Sequence, residues 1–382
     1  MNSLKISPED LIKYCYQCGK CSGICPLGDI SFYSPRILIH NAVFGKLTEP
    51  QRLAQCSTCD LCSTRCPMNV KLSEFVREER HKLRQQGVLL NEAHFGIFST
   101  LARLMANNQF PTTLNDFFPE EMKFSENGEI LLYTGCLSLF DTYFDHRYTN
   151  IAKSAVRILN YLKIKPQILR NQKCCGHDLF WGGDYDNFKK LGEYNLEAIE
   201  SRGVKLVITI CPECYRTFKL DYPRYVRDYS FKVISLSEFL ETQLKEGNLT
   251  FPYQFPYKIT YQDPCRLGRQ LGVYEAPRNV LKAIPGIELN EMENNREDAI
   301  CCGVSAWMNC NLYSKAIRMN RLMEAQKAAD SLITNCPHCL VHFNCLKNEY
   351  TQSEKRYKLN IIDFTEWKTS GSVWDSKGDN GE

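Results

Sequence analysis

Glu129-Ile-Leu-Leu-Tyr-Thr-Gly-Cys136 and Lys258-Ile-Thr-Tyr-Gln-Asp-Pro-Cys265 are the two stretches from which the rest of the chain can be read. Each is an apolar run ending on a cysteine, and each opens the same succession of features. Cys174-Cys175-Gly176 follows in the first copy and Cys301-Cys302-Gly303 in the second. A helical stretch comes next, Asp184 to Ser201 and Leu312 to Asp330. A strand then runs into a Cys-Pro-x-Cys turn, Val204 to Cys211-Pro-Glu-Cys214 and Ser331 to Cys336-Pro-His-Cys339. Each copy closes on a strand and an acidic turn, Val233 to Glu238 and Asn360 to Glu366. Corresponding positions lie 125 to 129 residues apart, so residues 129–365 read as a tandem repeat. Alternating apolar strands and amphipathic helices predict α/β units with mostly parallel sheets. The cysteines fall just past predicted strands, at the carboxyl ends where such folds hold ligands.

Outside the repeat, residues 1–110 read as helical. Pro35 to Phe44 has helical apolar spacing and stops at Gly45, Val70 to Gln86 is a charged amphipathic helix closed by Gly87, and residues 91–110 give a further helix. A proline-bearing connection around Pro111 and Pro119 leads into the repeat, and residues 369–382 form a polar tail. The predicted domains are therefore 1–110, 129–250 and 257–368, followed by that tail.

The chain holds 20 cysteines, too many and too clustered for a disulfide scaffold, which would be small and secreted. The N-terminal block reads Cys15-x2-Cys18-x2-Cys21-x3-Cys25-Pro26, then Cys56-x2-Cys59-x2-Cys62-x3-Cys66-Pro67. This is the bacterial ferredoxin run occurring twice, in which three thiolates serve one cube and the fourth crosses to the other. One [4Fe–4S] cubane is thereby assigned to Cys15, Cys18, Cys21 and Cys66, and a second to Cys56, Cys59, Cys62 and Cys25. Zinc would favour paired Cys-x-x-Cys and gives no reason for two such runs ending in proline. Each repeat adds five cysteines: Cys136, Cys174, Cys175, Cys211 and Cys214, then Cys265, Cys301, Cys302, Cys336 and Cys339. Five thiolates exceed what a cube needs, and adjacent cysteines fit poorly on separate corners. A distorted, opened cluster with a bridging thiolate would use all five.

The doubled pattern Cys-x37-Cys-Cys-Gly-x34-Cys-Pro-x-Cys resembles the CCG domains of heterodisulfide reductase, and the N-terminal block resembles that family's C subunit. The chain is thus similar to a natural fusion of the B and C subunits, like the family's D subunit. The resemblance implies a helical two-cluster ferredoxin domain followed by two Rossmann-like α/β CCG domains related by a pseudo-two-fold axis. It implies two non-cubane [4Fe–4S] clusters, one per five-cysteine set, facing a small disulfide whose sulfurs they capture. Cys175 and Cys302 are then the candidate catalytic cysteines, and His177 and His338 the candidate donors to cluster sulfur or to product thiolates. The partners implied are an FAD/iron–sulfur A-type subunit, with hydrogenase, formate dehydrogenase or cytochrome subunits beyond it. Two other readings stay open: an electron relay for an FAD-dependent 2-hydroxy-acid or glycerol-3-phosphate dehydrogenase, and a subunit of a flavin-based bifurcating complex. Related relay subunits often lack a complete second set, so two complete sets favour disulfide chemistry. The chain departs from the family after Gly303, where Val304-Ser-Ala-Trp-Met-Asn-Cys310 stands in place of a glycine-rich stretch.

Composition narrows the alternatives. A net charge of +3 is too small for a nucleic-acid binder. No run approaches the ~20 apolar residues of a bilayer span, and Met1 to Asp10 carries charges and a proline where a signal peptide needs an apolar run. The expectation is a cytoplasmic protein of anaerobic origin that reaches the inner membrane face only through a partner. Trp181-Gly-Gly-Asp184 lacks the context of a phosphate loop, so no flavin is expected on this chain. Arg266 and Arg269 are candidates for an anionic substrate tail or for solvated surface residues, and Asp263 reads as a turn residue. Cys310 and Cys345 read as buried, unligated thiols, and the charged run Arg77 to Arg84 reads as a solvated helix face.

Overall fold

In β1, Ile130–Tyr133, three successive residues, Leu131, Leu132 and Tyr133, are buried. Such unbroken apolar runs belong to parallel strands covered on both faces, and they set the architecture. In this computed structural model, β1 pairs in parallel with β2, Leu206–Thr209, which pairs in parallel with β3, Lys232–Ser235. Leu131 sits opposite Val207, and Val207 opposite Val233. The second copy repeats the order with β4, Lys258–Gln262, β6, Ser331–Thr334, and β7, Asn360–Asp363, again all parallel. A two-residue strand β5, Glu288–Leu289, is added outside β4. The structure describes residues 7–46, 49–109, 118–144, 148–252, 254–351, 358–366, 368–369 and 371–372. The Pro111 connection and the tail beyond residue 372 lie outside them.

Helices Thr149–Tyr161, Tyr185–Glu200, Leu236–Lys245 and Leu312–Ala328 cover the sheets. The acidic turn expected after β3 is a helix start: Ser235 and Glu238 form a reciprocal capping box that opens Leu236–Lys245. One large core runs through both repeats, from Leu132 and Ile208 to Ile259, Leu332 and Ile333.

In the N-terminal block Ser34 caps Pro35–Val43, with proline at the first helical turn, and Leu72–Gln85 is the long amphipathic helix. The helix expected over 91–110 is shorter, Ile97–Ala106, because His94 and Phe95 adopt left-handed backbone with φ of 51° and 55°. They turn there because Ala93 N–H donates to Trp307 O and Glu92 bridges to Met308, tying this segment to the second repeat.

The charged run Arg77 to Arg84 is not a solvated face. Arg77 and Arg80 are 1% and 0% exposed. Arg77 lies over Phe180 with its guanidinium carbon 4.3 Å from the ring centroid, and Arg80 donates to Trp181 O at 2.9 Å. An opposite-charge pattern at helical spacing does not reveal which face a neighbouring domain will cover. Among the described residues no helix is long and apolar enough to cross a membrane.

Candidate redox centre

The N-terminal cysteines gather around two cavities. Cys15, Cys18, Cys21 and Cys66 line one, together with Cys62 and Arg36. Cys25, Cys56, Cys59 and Cys62 line the other, beneath Tyr33 and Thr58. Left-handed Gln17, Thr58 and Asp60 wind the backbone tightly enough to aim backbone amides at sulfur. Thr58 N donates to Cys56 Sγ at 3.4 Å and Val70 N to Cys66 Sγ at 3.3 Å. Burial pushes the Cys25 and Cys62 thiols up, and neighbouring sulfurs push the same way. Such thiols give up their protons only to a metal that repays the cost, so the donor chemistry fits iron–sulfur clusters.

In the first repeat, Cys136 contacts Cys174, Cys175 contacts Cys174 and Cys214, and Cys211 contacts Cys214. In the second, Cys301 contacts Cys265 and Cys302, and Cys339 contacts Cys302 and Cys336. All five cysteines of each repeat are therefore brought together. Gly176 and Gly303 make this possible. Both hold positive φ, +79° and +92°, and a Cβ on Gly303 would stand 2.5 Å from Ser314 O.

The groups also touch one another. Cys59 hydrogen-bonds with Cys301, which draws Cys59 down to about 6 against its burial, with Arg269 assisting. Cys211 hydrogen-bonds with Cys336, joining the two five-cysteine sets. Sulfur contacts thus run from the Cys59 loop through the second repeat to the first.

Between the sets lies a buried polar cluster. His338 Nδ1 is 2.7 Å from Glu213 Oε2, and His338 Nε2 is 4.0 Å from Asp178 Oδ2. His177 Nδ1 is 3.1 Å from Asp178 Oδ1 and 3.4 Å from Glu213 Oε2. Burial disfavours the charged form of His338, but the Glu213 and Asp178 carboxylates outweigh it and raise its pKa well above the usual imidazole value. His177 is driven the other way, by burial first and then by Arg266 and Arg216. The two imidazoles are therefore pushed in opposite directions, His338 toward the charged form and His177 toward the neutral one. Both face the cavity lined by Cys136, Cys175, Cys211 and Cys214.

Asp178 and Glu213 escaped the sequence reading, although the repeat carried a signal for one of them. Glu213 and His338 occupy the same x position of the two Cys-Pro-x-Cys turns, with opposite charge, and they meet. Trp181 and Thr58 also escaped. Trp181 is fully buried with the Arg266 and Arg216 guanidinium carbons 4.1 and 4.5 Å from its ring centroid.

Several expected roles change. Arg266, 1% exposed, donates to the Thr58 carbonyl, the Thr58 hydroxyl and the Ser305 hydroxyl. Arg269 donates to the carbonyls of Cys59, Glu297 and Ala299. Arg266 is buried and Arg269 half-buried, and the ferredoxin-like loop occupies the guanidinium of each. Asp263 is more than a turn residue, since it pairs bidentately with buried Arg278 at 2.7 and 2.8 Å. Cys310 is exposed, with Arg318 Nη2 3.4 Å from its sulfur, and Cys345 is half-buried. Trp181-Gly-Gly-Asp184 is a docking turn: Gly182 O accepts from Arg84, and His81 Nδ1 lies 2.8 Å from Gly183 O.

The model of the cysteine-rich domain CCG matches residues 130–219 and 259–344, and that of the 4Fe-4S dicluster domain matches residues 14–71. Among curated proteins, the chain is 28% identical over 363 residues to the D subunit of dihydromethanophenazine:CoB–CoM heterodisulfide reductase from Methanosarcina acetivorans, covering 85% of this chain and 86% of that one. It is 27% identical over 363 residues to the B subunit of fumarate reductase (CoM/CoB) from Methanothermobacter marburgensis, covering 88% and 70%. It is 30% identical over 340 residues to EtfAB:quinone oxidoreductase of Syntrophomonas wolfei, covering 82% of this chain but 46% of that one. A solved structure of a hypothetical protein from Helicobacter pylori shares the fold at a TM-score of 0.50 and 11% identity, over 87% of this chain and 66% of that one.

Proposed function

Because this chain is a CCG-domain iron–sulfur oxidoreductase with an N-terminal 4Fe-4S dicluster domain, we propose that it is the heterodisulfide-reductase-like component that passes electrons from a flavoprotein partner to a disulfide between its two repeats. The observation that carries this reading is the unbroken line of sulfur contacts, Cys59 to Cys301 and Cys336 to Cys211. In this reading Cys15, Cys18, Cys21 and Cys66 hold one cubane cluster, and Cys25, Cys56, Cys59 and Cys62 the other. Each five-cysteine set holds a non-cubane cluster, and the two repeats face each other about a pseudo-two-fold axis. Bound there, the clusters supply single-electron transfer. The chain itself supplies one of the two protons, and the second comes from solvent. His338, kept charged by Glu213 and Asp178, stands beside Cys175 and Cys211 in the same cavity, where a product thiolate would be neutralised. Two electrons and two protons convert one disulfide into two thiols. The partner is a flavin and iron–sulfur protein, and any membrane contact is made through it.

A relay to a non-disulfide acceptor is the second reading, favoured by the same domain set in a relative named as a quinone oxidoreductase. EPR spectra of the anaerobic, oxidised protein separate the two. A paramagnetic signal that forms only with an added thiol such as coenzyme M or coenzyme B, and disappears in Cys175→Ser or Cys302→Ser, supports disulfide chemistry. Spectra indifferent to every thiol support the relay.

A further inference from the structure

Three guanidinium groups converge on the Cys56–Cys59 loop. Arg80, fully buried, donates to the carbonyls of Leu53, Ala54, Cys56 and Trp181. Arg266 binds Thr58 through both its carbonyl and its hydroxyl, and Arg269 binds the Cys59 carbonyl. Most other buried arginines have carboxylate partners, Arg77 with Glu78, Arg216 with Asp221, Arg278 with Asp263 and Arg321 with Glu324; Arg318, on the His342 carbonyl and Cys310 Sγ, is the exception among the described residues. Arg80, Arg266 and Arg269 have none among the described residues. Arg266 Nε and Arg269 Nη2 are buried without any hydrogen-bond partner. Arg80 and Arg266 are also close enough to repel each other.

A buried cation without a counter-ion is costly, and removal from water is not repaid by neutral carbonyls alone. The sulfurs of this loop supply anions beside Arg80 and Arg269, while Asp60 also attracts Arg269 and Glu213 attracts Arg266. Arg80 holds the Cys56 carbonyl and Arg269 the Cys59 carbonyl, and both sulfurs line the cavity of Cys25 and Cys62. The other cavity is built differently. Its guanidinium, Arg36, is exposed, and so is Cys18, so water screens the charges there.

Resting on the cluster reading above, we propose that Arg80, Arg266 and Arg269 are positioning cations that stabilise the reduced state of the cluster held by Cys25, Cys56, Cys59 and Cys62, giving it the higher potential of the two cubanes. Reduction adds one negative charge and no proton, and fixed buried cations favour that charge more than screened surface ones do. Electrons arriving at the exposed Cys18 side are then drawn inward to the cluster whose Cys59 touches Cys301. The order follows from charge placement in this chain, independently of the terminal acceptor.

An EPR-monitored potentiometric titration of the anaerobically reconstituted full chain tests this. The wild type is expected to show two separated cubane waves, assigned through Cys18→Ser and Cys62→Ser. Arg266→Gln and Arg269→Gln should each lower the higher wave by at least tenfold in its one-electron equilibrium, about 59 mV. The lower wave should move less, and Arg266→Lys, which keeps the charge, should recover most of the loss. Arg52→Gln, on a solvated helix face, should move neither wave. Iron and sulfide content separates the two possible failures. Wild-type protein that binds no iron refutes the cluster reading itself. Full clusters with coincident waves, or with a higher wave unmoved in both Gln variants, overturn the proposal and leave the cluster reading intact.

Discussion

Gly183→Ala should loosen the seam between the ferredoxin-like block and the first repeat, and its cost can be worked from two contributions. Gly183 has φ of +86°, where an L side chain costs about 1–2 kcal/mol. A Cβ there would also stand 2.5 Å from His81 N and 2.6 Å from Arg80 C. These are backbone atoms of Leu72–Gln85, so no side chain can swing aside, and overpacking of this kind adds about 1–3 kcal/mol. The expected destabilisation is about 2–5 kcal/mol. Gly203→Ala isolates the first contribution, because Gly203 has φ of +65° with nothing within 4 Å; it should cost only about 1–2 kcal/mol. The assay is urea unfolding of the anaerobic protein followed by tryptophan fluorescence, since buried Trp181 lies two residues from Gly183 and accepts a hydrogen bond from Arg80 through its carbonyl. Gly183→Ala and Gly203→Ala midpoints that coincide would refute the argument that this turn is closed by backbone contact.

Three further outcomes follow from the same geometry. Burial raises Asp363 to about 8, so the folded state keeps a proton that the unfolded chain releases near pH 4. Stability from this group is full below pH 4 and falls as pH rises toward 8. Asp363→Asn, which keeps the acceptor for Thr365, should therefore gain on the wild type across that window, by a few kcal/mol (order of magnitude) at its upper end, in melting temperatures measured from pH 5 to 9. Asp263→Ala leaves fully buried Arg278 with Glu291 alone and should cost about 3–5 kcal/mol in denaturant unfolding. Cys62→Ser should lower bound iron by about one cluster's worth, roughly four atoms, whereas Cys310→Ser should leave iron content unchanged by colorimetric assay.

Much of the fold was legible because local chemistry dictates it. Leu131-Leu132-Tyr133 and Leu332-Ile333 are unbroken apolar runs that only a doubly covered parallel strand accommodates. Pro212 and Pro337 start helices wherever they follow a strand and a cysteine, and Gly176 is required where the backbone turns left-handed. Arg77 and Arg80 could not be read in the same way. Their spacing is that of a solvated helix, and they are buried only because the first repeat docks there.

The grouping of the cysteines into two ferredoxin-type runs and two five-membered sets is a property of the amino-acid order, since spacing of a few residues decides which thiols one loop can present. That Cys59 meets Cys301, that Cys211 meets Cys336 and that Glu213 closes on His338 are properties of the folded chain alone. Those pairs are separated by more than a hundred residues, and no local preference links them. They are fixed by how the covered faces of three folding units pack, and that packing places buried charges beside sulfur where they tune its chemistry.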